Sequence, residues 1–218
     1  MIQAIVFDFD GLILETERPQ YLAWRDVFLS FGKELPEQAW LEVMGKPVKI
    51  DLFPRRLADE LNRDLDIDGL IAQYREIVAE RLASQPIQPG VEAVIREAKS
   101  RSFKLAVASG STHRWVDGHL KRLGIFEHFA HTTCCEDTDK HKPDPDPYLH
   151  ACEALGVDPR HTLALEDSAL GITAAKSAGM HAVAVPTDMT RYQTFDHADL
   201  VLDSLTQITP AELFKRFE

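Results

Sequence analysis

The stretch Ile2-Gln3-Ala4-Ile5-Val6-Phe7-Asp8-Phe9-Asp10-Gly11 decides the fold of this 218-residue chain. Its first six residues form an apolar run that predicts a buried strand, and two carboxylates, Asp8 and Asp10, follow where that strand ends. In an open parallel sheet, ligands bind at the carboxyl ends of the strands. Two carboxylates held together there repel each other unless a cation or a shared proton lies between them. The stretch therefore indicates a chemical site rather than a surface turn.

Composition argues against several classes of function. The chain carries 24 Lys and Arg against 35 Asp and Glu, a net charge of −11, which disfavours a nucleic-acid surface because phosphate-backbone binding depends on Lys and Arg. A small phosphorylated metabolite needs only a few local cations. No apolar run approaches the roughly 18 residues of a membrane span, and no basic-then-apolar signal pattern precedes the first strand. We expect a cytoplasmic monomer or weak dimer with no nucleic-acid and no membrane partner.

The cysteines support the same compartment. Cys134, Cys135 and Cys152 are odd in number and two of them are adjacent, which is a poor disulfide framework. The adjacent pair has no second pair at ligand spacing, so the spacing alone does not predict a metal site. A reducing environment is expected.

Further apolar runs predict the rest of a sheet. They are Lys104 to Ser109, Thr162 to Asp167, His181 to Val185, Leu200 to Leu202 and, more weakly, Phe129 to Cys134. Nearly continuous apolar runs are typical of parallel strands covered on both faces. Helical patterns lie between them, at Gly90 to Ser100, Thr112 to Leu123, Asp146 to Leu155 and Ala169 to Ala178. This alternation predicts an α/β fold with a Rossmann-like, doubly wound parallel sheet.

Residues 16–85 interrupt this rhythm because they show only helix-like periodicity. The segment is too long for a simple crossover, which normally needs one helix. We predict an inserted all-helical cap at 16–85, lying over the strand ends of a catalytic core formed by 1–15 and 86–218. The connections near Leu14 to Glu17 and Ala83 to Pro89 are the expected hinges.

Polar groups follow several of the predicted strands. They are Asp8 with Asp10, Ser109-Gly110-Ser111-Thr112, Lys142-Pro143, and Glu166-Asp167-Ser168 with Gly171 behind. The second group opens a helix, where free N–H groups and the helix dipole favour an anion. Each group alone is weak, but their order and location together indicate one site.

These four groups, in this order, resemble the signatures of the haloacid dehalogenase-type phosphohydrolases, and the resemblance covers the whole chain with its helical insertion. The branch holding beta-phosphoglucomutase and small sugar-phosphate phosphatases is closest in character. The resemblance implies Mg²⁺-dependent phosphoryl transfer to Asp8, which forms an aspartyl-phosphate. Asp10 then acts as the acid for the leaving alkoxide and as the base for the attacking water.

The resemblance also implies the remaining roles. The side chains of Asp8 and Asp167 and the backbone carbonyl of Asp10 would hold Mg²⁺, with Glu166 as a helper or outer ligand. Ser109 and neighbouring N–H groups, including that of Gly110, would bind the phosphoryl oxygens. Lys142 would offset negative charge and keep Asp8 ionised.

Single residues distinguish phosphoryl transfer from the other functions found in this superfamily. Asp10 favours phosphoryl transfer, because the dehalogenases lack this second aspartate. Phosphonate cleavage would need a cap lysine as Schiff base; Lys46 and Lys49 are available, but we expect both to be solvated surface lysines. An inert regulatory relative is disfavoured because Asp8, Asp10, Lys142 and Asp167 are all present.

The choice between phosphatase and mutase depends on the cap. Residues Glu17 to Tyr21 lack the histidine that beta-phosphoglucomutase carries after the first motif, and Glu15 stands where the family usually has Asp. The sequence therefore favours a phosphatase acting on a small phosphate monoester, a sugar phosphate, over a phosphosugar mutase. Lys46, in the turn Gly45-Lys46-Pro47, is the candidate for contacting the distal part of the substrate.

Overall fold

The structure of the chain is a computed structural model that describes residues 1–44 and 49–218. It divides into two compact units, Met1–Glu15 with Pro86–Glu218, and Thr16–Gln85. That the two units act as catalytic core and cap stays a prediction.

A six-stranded sheet forms the centre of the larger unit, with strand order β3-β2-β1-β4-β5-β6. All neighbouring strands pair in parallel. The strands are β1 (Ala4–Phe7), β2 (Lys104–Ala108), β3 (His131–Thr133), β4 (Thr162–Glu166), β5 (His181–Ala184) and β6 (Leu200–Val201). The predicted doubly wound parallel sheet is confirmed. Its order reverses between β1 and β4, the position at which ligands bind in such folds.

Helices make up most of the remaining regular structure. Those of the described residues are α1 (Glu17–Ser30), α2 (Glu37–Leu41), α3 (Leu52–Leu61), α4 (Ile67–Ala83), α5 (Val91–Ser100), α6 (His113–Arg122), α7 (Asp146–Leu155), α8 (Ala169–Ser177) and α9 (Pro210–Lys215). Thr112 caps α6, since its side chain accepts from the Trp115 N–H.

The two faces of the sheet differ in side-chain size. On one face, Ile5 and Phe7 of β1 lie in a core shared with buried residues of α5, α6 and α9. On the other, Ala4 and Val6 lie in a core shared with α7 and α8, to which β2, β4 and β5 contribute mainly alanines. Small residues let these two helices lie close to the strands, and continuous burial on both faces explains the near-continuous apolar runs.

Aromatic contacts hold the smaller unit, Thr16–Gln85, together. The Trp24 ring stacks on Tyr74, with centroids 4.2 Å apart, and joins α1 to α4. The ring of Phe53 lies 5.6 Å from Trp40 and 5.9 Å from Trp24. These rings therefore lie in the core of the smaller unit. None of the helices within residues 1–44 and 49–218 is both long and apolar enough to cross a membrane.

Candidate active site

Three carboxylates meet where β1 and β4 end. Asp8 directly follows β1, Glu166 is the last residue of β4, and Asp167 follows it. One carboxylate oxygen from each of the three lies within 4.8 Å of the others, and all three residues are buried. Acids more than 150 positions apart in the sequence therefore share one small volume.

Lys142 lies between two of these carboxylates. Its ammonium nitrogen donates to Asp8 Oδ1 at 2.6 Å, to Glu166 Oε1 at 2.5 Å and to the Ala108 carbonyl at 2.9 Å. Only 11% of the Lys142 side chain is exposed. All three N–H donors are thus used, which holds the ammonium group in a single place.

Negative charge in this cluster exceeds what Lys142 offsets. Burial, followed by repulsion from Glu166, raises the pKa of Asp8 to about 8, although Lys142 lowers it. Burial by itself would lower the pKa of Lys142, but Asp8 and Glu166 hold it well above its usual value. Lys142 is therefore charged, and its ion pair with Asp8 opposes the effect of burial on the pKa of that carboxylate.

Glu166 organises the site through hydrogen bonds to both oxygens. Its Oε1 accepts from Lys142 and from the Tyr148 hydroxyl, the latter at 2.9 Å. Its Oε2 accepts from the Asp167 N–H, the Ser168 N–H and the Ser168 hydroxyl, each at 3.0 Å. A fully buried carboxylate with five donors is a structural anchor for the lysine and for the turn after β4.

Two glycines leave room for these acids. A Cβ on Gly171 would lie 1.7 Å from Glu166 Oε1, and one on Gly11 would lie 2.3 Å from Asp167 Oδ2. Gly11 also has φ +91°, a conformation that other residues rarely adopt. Neither position tolerates a side chain while the carboxylates stay in place.

Asp10 is held on the β2 side of the site. Its Oδ2 accepts from the hydroxyls of Ser111 at 2.7 Å and Ser109 at 3.3 Å. Its Oδ1 accepts from the indole N–H of Trp115 at 2.8 Å. The carboxylate is thus oriented by the turn after β2 and by the first turn of α6.

The turn after β2 presents a free amide. The Ser111 N–H donates to Ser109 Oγ at 3.0 Å, whereas the Gly110 N–H makes no hydrogen bond within the described residues. Gly110 is exposed, so this N–H can donate to an anion. The remaining candidate, Lys46, belongs to residues 45–48, which lie outside the described residues.

Three contributors were missed by sequence reasoning. Ser111 belongs to the predicted turn Ser109–Thr112, but no contact was predicted for it. Its position two residues after Ser109 could have indicated a second hydroxyl at the site. Trp115 and Tyr148 have helical spacing typical of packing residues. Nothing in the sequence indicates that their polar ends reach Asp10 and Glu166.

A doubly wound parallel sheet whose strand ends hold a buried lysine among carboxylates defines an α/β enzyme with its site at the switch point of the sheet. The family model for haloacid dehalogenase-like hydrolases matches residues 5–185, and the chain belongs to that family. This match confirms the family that the sequence motifs indicated.

Relatives of this chain are named as phosphatases. "Putative phosphatase YhcW" of Bacillus subtilis is 39% identical over 98% of this chain and 96% of its own length. "Phosphorylated carbohydrates phosphatase" of Thermotoga maritima is 32% identical over 84% of each chain. The crystal structure of CbbY from Rhodobacter sphaeroides in complex with phosphate is 29% identical, covers 95% of this chain and 96% of its own, and has a TM-score of 0.78. The chain is accordingly a phosphoric monoester hydrolase.

Proposed function

We propose that this chain hydrolyses a small sugar phosphate with Mg²⁺ and forms an aspartyl-phosphate on Asp8. The observation that carries the proposal is the position of Asp8: it is buried at the switch point, hydrogen-bonded to Lys142 at 2.6 Å, with an oxygen of Asp167 within 4.8 Å. Relatives named as phosphatases of phosphorylated compounds support the substrate class.

The residues present fit a hard divalent cation. The donors that converge are all carboxylate oxygens, the ligand type that Mg²⁺ prefers. Three carboxylates face one ammonium group, so Lys142 offsets their charge only in part. Asp8, Asp167 and the backbone carbonyl of Asp10 would hold the ion. Glu166, whose two oxygens accept five hydrogen bonds, would support the site without binding the ion directly. When bound, Mg²⁺ supplies positive charge to the phosphoryl oxygens.

Asp8 supplies the nucleophile. Its free carboxylate oxygen forms a bond to phosphorus while the bond between phosphorus and the substrate's ester oxygen breaks. Lys142 fixes the other Asp8 oxygen, Oδ1, and so restricts rotation of the carboxylate during the attack. In the second half-reaction, water attacks the phosphorus, the acyl phosphate bond breaks, and the Asp8 carboxylate is restored.

Asp10 moves the protons. It gives a proton to the leaving alkoxide in the first step and takes one from water in the second, so the proton count balances over one turnover. The Ser111 hydroxyl and the Trp115 indole N–H orient its carboxylate at 2.7 and 2.8 Å. Ser109 and the free N–H of Gly110 bind the phosphoryl oxygens beside it.

Substrate choice would depend on the helical unit. Lys46 remains our candidate for contacting the distal hydroxyls or charge of the sugar phosphate. Its replacement by Ala should raise KM for sugar phosphates and leave KM for small aryl phosphates unchanged.

The proposal is tested by phosphate release from a panel of sugar phosphates, with Mg²⁺ or with chelator, by the wild type, Asp8→Asn and the matched surface variant Asp196→Asn. We expect Mg²⁺-dependent release that falls at least about a thousandfold in Asp8→Asn and is unchanged in Asp196→Asn. Isomerised sugar phosphate without free phosphate would show the mutase instead. Absence of turnover on every ester by a folded, Mg²⁺-loaded sample would contradict both functions.

A further inference from the structure

A second set of possible metal ligands lies apart from the carboxylates at β1 and β4. The segment after β3 contributes Cys134 and Glu136, and the first residue of α6 contributes His113. One ligand atom from each of these three side chains lies within 4.8 Å of the others. The adjacent cysteines gave no such indication in the sequence, because one of the donors, His113, comes from another element.

The Cys134 thiol is buried and has no hydrogen-bond partner. The residue is 1% exposed, and although its backbone N–H donates to Asp137 Oδ2 at 2.7 Å, its sulfur makes no hydrogen bond within the described part of the chain. A buried thiol beside an imidazole and a carboxylate is a donor set that borderline-soft divalent metals prefer.

The imidazole of His113 is already oriented by carboxylates. Its Nε2 lies 2.8 Å from Asp137 Oδ2, and its Nδ1 lies 3.4 Å from Asp117 Oδ2. Whichever ring nitrogen faces an ion, the other is held by a carboxylate. This arrangement fixes the ring and raises its basicity in metal sites.

The surrounding charge also favours a cation. Asp117 and Asp137 contact the His113 ring, and Glu136 lies beside the Cys134 thiol. Across residues 1–44 and 49–218 no lysine or arginine forms an ion pair with any of these three carboxylates.

We propose that His113, Cys134 and Glu136 form a binding site for one Zn²⁺-class divalent cation, separate from the oxygen-only site at Asp8. On binding, the Cys134 S–H bond breaks, its proton passes to solvent, and the thiolate binds the ion. No redox change is involved.

Such an ion would brace the turn that follows β2. His113 directly follows the Ser109–Thr112 turn, and the Cys135 N–H donates to the Ser111 carbonyl at 3.0 Å. An ion shared by His113 and Cys134 joins the segment after β3 to the start of α6. We therefore assign the site a structural role rather than a catalytic one.

The test is a Co²⁺ titration of the chelator-treated full chain, followed by displacement with Zn²⁺. Bound thiolate gives cobalt a charge-transfer band in the near ultraviolet, which an oxygen-only site cannot give. The ligand variants are Cys134→Ser, His113→Ala and Glu136→Gln. The control variants are Cys135→Ser and Cys152→Ser, which remove the other thiols, and Asp8→Asn, which alters only the carboxylate site.

We expect one equivalent of Co²⁺ with the thiolate band, displaced by Zn²⁺ but not by excess Mg²⁺. Cys134→Ser and His113→Ala should lose the band, and Glu136→Gln should bind cobalt at least about tenfold more weakly. All three controls should retain it. Absence of the band in the wild type, or its loss in Cys135→Ser or Cys152→Ser but not in Cys134→Ser, would overturn the assignment. His113→Ala changes a half-exposed residue, so the result does not depend on the folding of the buried Cys134 variant.

Discussion

Replacement of Asp8, the proposed nucleophile, by Asn should stabilise the metal-free protein and abolish turnover. In the folded chain the pKa of Asp8 is raised from 3.8 to about 8, first by burial and then by Glu166. Between these two values the folded state holds a proton that the unfolded state releases. The free energy of unfolding therefore falls as pH rises from about 4 to about 8 and levels off above that.

The size of the effect follows from the same shift. A pH of 7 is about three units above the pKa of this carboxyl in the unfolded chain, and each unit corresponds to about 1.4 kcal/mol. Release of the Asp8 proton therefore favours the unfolded state by about 4 kcal/mol. In Asp8→Asn, Lys142 keeps its partner Glu166 at 2.5 Å, so little compensating attraction is lost. We expect the variant to gain about 2–4 kcal/mol at pH 7.

The assay is urea unfolding in chelator at several pH values between 5 and 8, for the wild type, Asp8→Asn and the exposed control Asp196→Asn. The gain of Asp8→Asn over wild type should be small near pH 5 and largest at pH 8, and the control should follow the wild type. Mg²⁺ at a hundred times its Kd should raise the free energy of unfolding of the wild type by about 2.7 kcal/mol. The same Mg²⁺ concentration should raise that of Asp8→Asn much less. Equal or lower stability of Asp8→Asn at pH 8 would refute the charge account.

Three further substitutions test the site from other directions. Lys142→Met leaves Asp8 and Glu166 unpaired and should cost about 3–5 kcal/mol in urea unfolding; adding Glu166→Gln should restore part of that, and no restoration would contradict the pairing. Gly171→Ala places a Cβ 1.7 Å from Glu166 Oε1 and should cost at least about 1–3 kcal/mol, whereas Gly118→Ala, whose Cβ meets nothing within 4 Å, should be neutral or stabilising. Asp10→Ala should reduce kcat for sugar phosphates at least about tenfold more than for p-nitrophenyl phosphate, because only a poor leaving group needs a proton; equal losses would argue against its role as acid.

The sheet could be predicted because its strands are buried on both faces. Ala4–Phe7 and Thr162–Glu166 have no exposed residue, so each appears in the sequence as an unbroken apolar run that ends in acids. The strand that was predicted more weakly, Phe129 to Cys134, is shorter in the structure, where β3 spans only His131–Thr133. Two of its three residues are only half-buried. Helix α9 was not predicted, since its six residues are too few to show a helical period.

The order of the site residues was readable, but their contacts were not. Parallel strands bring their carboxyl ends to one edge, so the sequence placed Asp8 and Asp167 near each other without knowledge of loops. The contacts of Trp115 and Tyr148 depend on the rotation of α6 and α7 about their axes. The encounter of His113 with Cys134 depends on the path of the segment after β3, which no local pattern specifies.

The central claim is that a phosphoryl group passes through Asp8, and it can be measured directly. The variant Asp10→Asn should hydrolyse the intermediate slowly. This variant is therefore mixed with a sugar phosphate and Mg²⁺, the reaction is quenched in acid, and the protein is digested for mass spectrometry. The account predicts one added phosphoryl group on the peptide that contains Asp8, absent from the double variant with Asp8→Asn and absent with chelator. Turnover by Asp10→Asn with no phosphorylated Asp8 peptide at any time point, or phosphate on another residue, would contradict it.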